Sequence, residues 1–124
     1  DLFAAGIARS GSYNKTVQPF GYQSERRSLF EARDAYINAS PTFFADQVDE
    51  PVLIIHGADD SNPGTLTPQS EVFYEAVRGS GGTARLVLLP FEDHGYRGRE
   101  SVEHVLWEQL EWFDTYLKGD GTSD

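Results

Sequence analysis

Val52, Leu53, Ile54 and Ile55 stand in a row with no polar alternation, between Pro51 and a His56-Gly57 step. A strand covered on both faces in a parallel sheet shows this pattern, so residues 51–62 (PVLIIHGADDSN) predict a buried strand that empties into a carboxylate-rich loop. Residues 85–89 (RLVLL) repeat it: an apolar run, then Pro90 and the cluster Phe91-Glu92-Asp93-His94-Gly95-Tyr96. Between them, residues 67–78 place Val72, Phe73, Ala76 and Val77 at helical spacing, and Gly79, Gly81 and Gly82 act as a stop signal. That is a β–α–β unit, for which a right-handed crossover is expected. Such a crossover brings both strand ends to one edge of the sheet, where open α/β folds carry their sites. His56, Gly57, Asp59, Asp60 and Asn62 occupy that edge, and Asp60 is expected to come close to His94.

The remaining chain adds elements around this unit. Residues 1–8 (DLFAAGIA) read as a helix end running straight into a short strand near residues 4–9, as in the interior of something longer. Residues 15–23 (KTVQPFGYQ) form a long loop, a kind that in compact domains is usually functional. Leu29, Ala32, Arg33 and Tyr36 allow an amphipathic helix within residues 24–38, and Ser40-Pro41 fits an N-cap followed by a short helix through Phe44 and Ala45. Val102, Val105, Leu106, Leu110, Phe113 and Leu117 recur at three- and four-residue steps, with Trp107 and Trp112 beside them, and predict a final helix that Gly119 stops. Its outer face carries Glu103, Glu108, Glu111 and Asp114, read as solvated charges without a binding role.

Composition narrows the function classes. The 124 residues, 39% of them apolar and 13% aromatic, suit one globular unit. A net charge of −10 argues against nucleic acid, whose binders need clustered positive charge. No run is long and apolar enough to span a bilayer, so a soluble protein with no membrane partner is expected. Without cysteine there are no disulfides, zinc ribbons or thiol chemistry, and the compartment stays open. A metal site from Asp59, Asp60, Glu92, Asp93 and His94 lacks a recognisable ligand spacing, so neither metal nor cofactor is implied.

The motif HGADDSN followed by FEDHGY resembles the C-terminal part of the catalytic domain of the prolyl oligopeptidase family of serine peptidases. The stretches SGSYNKTVQPFGYQSERR, HGADDSNPGT and HGYRGRESVEHVLWE resemble its glutamyl endopeptidase branch, and the resemblance runs from Asp1 to about Lys118. It implies a partial α/β-hydrolase of about three parallel strands with flanking helices over residues 1–118, then a flexible tail over residues 119–124. In that family a strand ends in His-Gly, the triad Asp follows four residues after that His, and the triad His lies in an Asp-His-Gly step after the next strand. The spacing transfers those roles to Asp60 and His94: His94 as general base, Asp60 as its orienting partner.

Alternatives stand beside each assignment. His94 could be a loop histidine bonded to its own turn; Asp59 could take the place of Asp60, or cap the helix near Thr67, or face solvent. Asn62 matches an amide that touches the substrate backbone in related dipeptidyl peptidases, and equally suits a turn before Pro63-Gly64. His56 belongs to the strand end rather than to catalysis. A P1 carboxylate, implied by the glutamyl branch, would want an arginine; Arg97 and Arg99 follow His94 but could instead pair with Glu100 or Glu103. Tyr13, Phe20 and Tyr22 could wall the pocket or pack in the core.

The nucleophile breaks the pattern. The family's serine sits in a Gly-x-Ser-x-Gly elbow, and no serine here has glycine both two residues before and two residues after it; Ser80 comes nearest, with Arg78 two residues before it. A peptide substrate is thus expected for the parent enzyme, and no covalent catalysis by this chain alone. The opposing expectation is a non-catalytic α/β module that uses the same loop edge to bind a partner. If the chain is a cut α/β-hydrolase, the strand near residues 4–9 is expected to offer a free edge, and so to self-associate, pair with the missing N-terminal part, or be covered by a rearranged opening segment.

Overall fold

The computed structural model describes residues 6–118. Three parallel strands, β1 (Gly6–Arg9), β2 (Val52–Gly57) and β3 (Ala84–Leu89), lie in the order β1-β2-β3, with Ile7 opposite Leu53 and Ile54 opposite Leu86. The helices are α1 (Arg33–Asn38), α2 (Pro68–Gly79) and α3 (Arg99–Phe113), the last running into a π-helical turn over Asp114–Lys118. Short 3-10 turns cover Lys15–Val17 and Pro41–Gln47. No helix among the described residues is long and apolar enough to cross a membrane. The expected tail over residues 119–124, and Ala4 and Ala5 of the first strand, lie outside the described residues.

Every residue of β2 is buried because the sheet is covered on both sides, which is why its apolar run does not alternate. Leu53 and Ile55 join Val87, Leu89, Val105 and Trp112 in one core cluster, under α3. Val52 and Ile54 join Tyr13, Ala45, Phe73, Val77 and Ala84 in the other, under α2. Helix α2 starts with Pro68 in its first turn and is tied to the sheet by Thr67, whose hydroxyl donates to the Gly57 carbonyl at 2.7 Å. Gly81 ends it at φ +92, where a side chain would be strained. Val72, placed by its spacing with the core residues, faces outward instead.

Three further expectations need correction. Within residues 24–38 only Arg33–Asn38 is α-helical, because the preceding stretch spends its polar groups on local caps and on the neighbouring loop. Ser28 and Glu31 cap each other reciprocally, Leu29 N donates to the Pro19 carbonyl, and Tyr36 Oη donates to the Arg27 carbonyl at 2.6 Å. Ser40 does not cap the segment that follows it. Its buried hydroxyl accepts from Lys15 N and donates to the Tyr36 carbonyl, both at 2.7 Å, and the segment is a 3-10 turn.

The third correction is the rotation of α3. Val105, Glu108 and Trp112 face the sheet, while Val102, Leu106, Leu110 and Phe113 remain exposed. Glu108, read from sequence as a solvated charge, is only 3% exposed. Arg85 of β3 grips it with two hydrogen bonds of 2.8 Å, and His104 adds a third contact at 3.1 Å. A buried carboxylate matched this way replaces its lost hydration.

Candidate active site

The loops leaving β2 and β3 are zipped together before any functional side chain appears. Ala58 N donates to the Leu89 carbonyl and Asp59 N to the Glu92 carbonyl, each at 2.8 Å. Asp93 staples the same two loops, accepting from Ser61 N at 2.7 Å and from its hydroxyl, and capping the His94 N–H at 2.8 Å. Behind it the buried Glu92 carboxylate accepts from Arg97 N and Gly98 N at 2.8 and 2.9 Å, joining the turn that carries His94 to the start of α3. The Arg97 and Gly98 N–H groups and the Ser101 hydroxyl hold the Glu92 carboxyl below the usual range, and Ser61 does the same for Asp93.

On this frame Asp60 and His94, far apart in sequence, meet: Asp60 Oδ2 lies 3.1 Å from His94 Nδ1. The Asp60 carboxylate is wholly enclosed, whereas the His94 side chain is 48% exposed, so the pair has a buried end and an accessible one. Burial alone would raise the Asp60 pKa. It is lowered instead, because the Asn62 N–H at 2.9 Å, His94 and His56 all favour the charged form. The Thr65 hydroxyl completes the cradle, 3.2 Å from Asp60 Oδ2 and 3.0 Å from His94 Nδ1.

The other expected residues divide. Asp59 is exposed and its side chain takes no place in this network, in contrast to Asp60. Asn62 closes its own turn by accepting from Gly64 N at 3.0 Å, and it also lines the groove beside His94. That groove, about 760 Å³, is walled by Ser61, Asn62, Phe91, Asp93, His94 and Arg97. Arg97 stands exposed in the wall, whereas Arg99 is engaged with Glu103 at 2.9 Å. Tyr13 is not in the groove. Its ring stacks on Phe73 with centroids 4.6 Å apart inside the core, and burial pushes its phenol up to about 12. Phe20 packs against Phe30, and Tyr22 against Tyr36 beneath Lys15, so these rings join their loop to residues 24–38 rather than wall the groove.

Sequence reasoning missed three contributors. Thr65 carries no motif; its role arises only when the loop folds back on Asp60. His56, set aside as a strand-end residue, is completely buried and bonded to Asp60 Oδ2 at 2.8 Å. Phe91 projects at the groove rim, 91% exposed, with a φ of +64 that an aromatic residue rarely adopts. The Pro90-Phe91 step was visible in the sequence, but not its backbone conformation.

Comparison with known proteins gives one consistent answer. A probable chloroplastic glutamyl endopeptidase of Arabidopsis thaliana is 54% identical over 115 residues, 93% of this chain but 12% of the relative. Its counterpart in Oryza sativa subsp. japonica is 52% identical over 124 residues, 99% of this chain and 13% of the relative. The chain thus spans about an eighth of the length of these relatives. Among solved structures, the acylaminoacyl peptidase of Pyrococcus horikoshii superposes with a TM-score of 0.75 at 29% identity, over 95% of this chain and 21% of that one. The three parallel strands and flanking helices are accordingly part of an α/β-hydrolase fold. Residues 1–120 match the model of the prolyl oligopeptidase family, and the chain belongs to that family of peptidases.

Proposed function

We propose that this chain supplies the acid and the base of a Ser-His-Asp triad to a serine peptidase of the glutamyl endopeptidase kind. The observation that carries this reading is the 3.1 Å contact between the exposed-end imidazole of His94 and the enclosed, ionised carboxylate of Asp60. With Nδ1 donating to Asp60, the His94 Nε2 is the nitrogen that takes the serine proton and returns it to the leaving amine. Asp60 fixes that tautomer and balances the imidazolium that forms. The serine comes from a Gly-x-Ser-x-Gly elbow, and the oxyanion donors from segments before and just after it, all outside these residues, so the chain alone is inactive. Arg97, exposed in the same groove as His94, is the partner for a glutamate side chain at P1, and Asn62 is the amide for the substrate backbone. Tyr13, enclosed with Phe73, is left to the core.

The test is a graft. This chain replaces the matching segment of the Arabidopsis thaliana relative, and both the free chain and the graft are treated with a fluorophosphonate and a glutamyl peptide. The graft is expected to be labelled and to turn over, and the free chain to do neither. Asp60→Asn in the graft should lower kcat by roughly 10³- to 10⁴-fold, by loss of tautomer control and counter-charge. Asp59→Asn should leave it within a few fold. Damage from Asp59→Asn with an active Asp60→Asn would reverse the assignment, and labelling of the free chain at any serine would overturn the dependence on an outside nucleophile.

A further inference from the structure

The Asp60 carboxylate is shared between two imidazoles. His94 reaches Oδ2 from the loop after β3, half exposed; His56 reaches the same oxygen from the end of β2, with no exposed surface at all. The His56 network fixes its tautomer. Its Nε2 lies 2.8 Å from Asp60 Oδ2 and 2.6 Å from the Thr65 carbonyl, both acceptors only, so Nε2 carries the proton. In the neutral ring its Nδ1 is then the acceptor for the Ser70 hydroxyl on α2. The ring is held by β2, by α2 and by the Thr65 turn, three elements that converge on one side chain.

We propose that His56 is a positioning residue for the Asp60–His94 pair: its Nε2–H, anchored on the central strand, pins the carboxylate oxygen that His94 Nδ1 meets. A carboxylate on a loop has rotational freedom that a general base cannot tolerate, because a misdirected oxygen releases the imidazole from its tautomer. Here the backbone N–H of Asn62 holds Oδ1 at 2.9 Å and His56 holds Oδ2, so the plane of the carboxylate is fixed from both ends. Thr65 ties the two histidines together, its carbonyl on His56 and its hydroxyl against His94. The titratable groups around the carboxylate are His56 from β2 and His94 from the loop after β3, with Tyr96 also sensing its charge. The consequence for turnover rests on the function proposed above; the contact itself does not.

Imidazole and carboxyl NMR of the chain tests the contact without any activity. Wild type is expected to show His56 as the Nε2–H tautomer at neutral pH, and an Asp60 carboxyl that titrates below the ordinary range. In His56→Leu the Asp60 midpoint should rise, and the His94 Nδ1–H should exchange with water at least about tenfold faster. His56→Gln, which places an amide N–H where Nε2–H stood, should restore most of both. In the graft, His56→Leu should lower kcat by about 10- to 100-fold with KM little changed, and His56→Gln should recover most of that loss. An Nδ1–H tautomer for His56 in wild type would overturn the proposal even if the leucine variant failed to fold. So would a folded His56→Leu chain whose Asp60 and His94 signals match wild type, or a glutamine variant no better than leucine. If these spectra hold while Asp60→Asn leaves the graft fully active, the proposed function falls and the His56 contact stands.

Discussion

Gly57 shows how tightly single residues are constrained around the site. A Cβ at this position would run into the carbonyl oxygens of both Glu92 and Asp93. Neither can retreat freely, because the Glu92 carbonyl accepts from Asp59 N and the Asp93 side chain is held by Ser61. Gly57→Ala is therefore expected to cost at least about 2 kcal/mol and to displace the loop that bears His94. Gly95→Ala, where an added Cβ meets nothing within 4 Å, should melt close to wild type. Thermal unfolding of the two variants checks this, and a Gly57→Ala chain as stable as Gly95→Ala would contradict it. The same loops show what a sequence can and cannot disclose. That the loops bearing Asp60 and His94 would meet was legible because each follows an apolar run and a parallel crossover puts both run ends at one edge, while the choice of Asp60 over Asp59 came from the family spacing alone. His56 and Thr65 were not legible, because their importance lies in partners that only the folded loop brings near. Tyr13 could equally have walled a pocket or filled a core, and Phe73, distant in sequence, decided for the core.

Helix α3 was plain from its period, but its rotation was not, because its apolar residues cover a wide arc. Val105 and Trp112 lie on one side of that arc, and Val102, Leu106, Leu110 and Phe113 lie about a quarter turn away. Either stripe could have faced the sheet. The stripe that faces the sheet holds Glu108, which Arg85 of β3 neutralises there. Periodicity cannot foresee a buried charge whose partner sits on another element. This pairing also has a pH signature. The Arg85 hydrogen bonds are the largest cause that lowers the Glu108 pKa, with His104 adding to them. A carboxylate whose folded pKa lies below its unfolded value contributes stability that is fully present above the unfolded value, near 4.3, and is lost as pH falls through the folded one. Glu108→Gln is expected to destabilise the chain at pH 7 by about 1 kcal/mol, a modest figure because the Arg85 side chain is half exposed and partly screened. The gap between the two melting curves should then close as pH is lowered from 7 toward 3. A gap that persists unchanged at pH 3 would show that the charge of Glu108 contributes nothing to stability.

The parallel pairing of β2 with β3 followed from two apolar runs with a helix between them, whereas over residues 24–38 the helical spacing overstated a helix that is only Arg33–Asn38. Among the described residues β1 pairs with β2 and with no other strand. Gly6 N donates to the Pro51 carbonyl and Ser10 N to the Ile55 carbonyl, so strand alternation turns the N–H and C=O groups of Ile7 and Arg9 to the opposite side. An open strand edge is a template for another chain. The outward stripe of α3 adds apolar surface, with Leu106 and Leu110 exposed by 55% and 67%. Opposing both is the net charge of −10, which repels a second copy at low ionic strength and less as salt screens it. The chain is therefore expected to associate, through β1 and the α3 stripe, in a manner that strengthens with concentration and with added salt. Light scattering should show mass rising along both axes, and hydrogen exchange should show the Ile7 and Arg9 amides gaining protection with it. Leu106→Glu combined with Leu110→Glu should weaken the rise while leaving Val52–Gly57 protected, because those glutamates would meet solvent rather than core. A monomer at every concentration, with the Ile7 and Arg9 amides exchanging freely, would show that the open edge is satisfied by water alone.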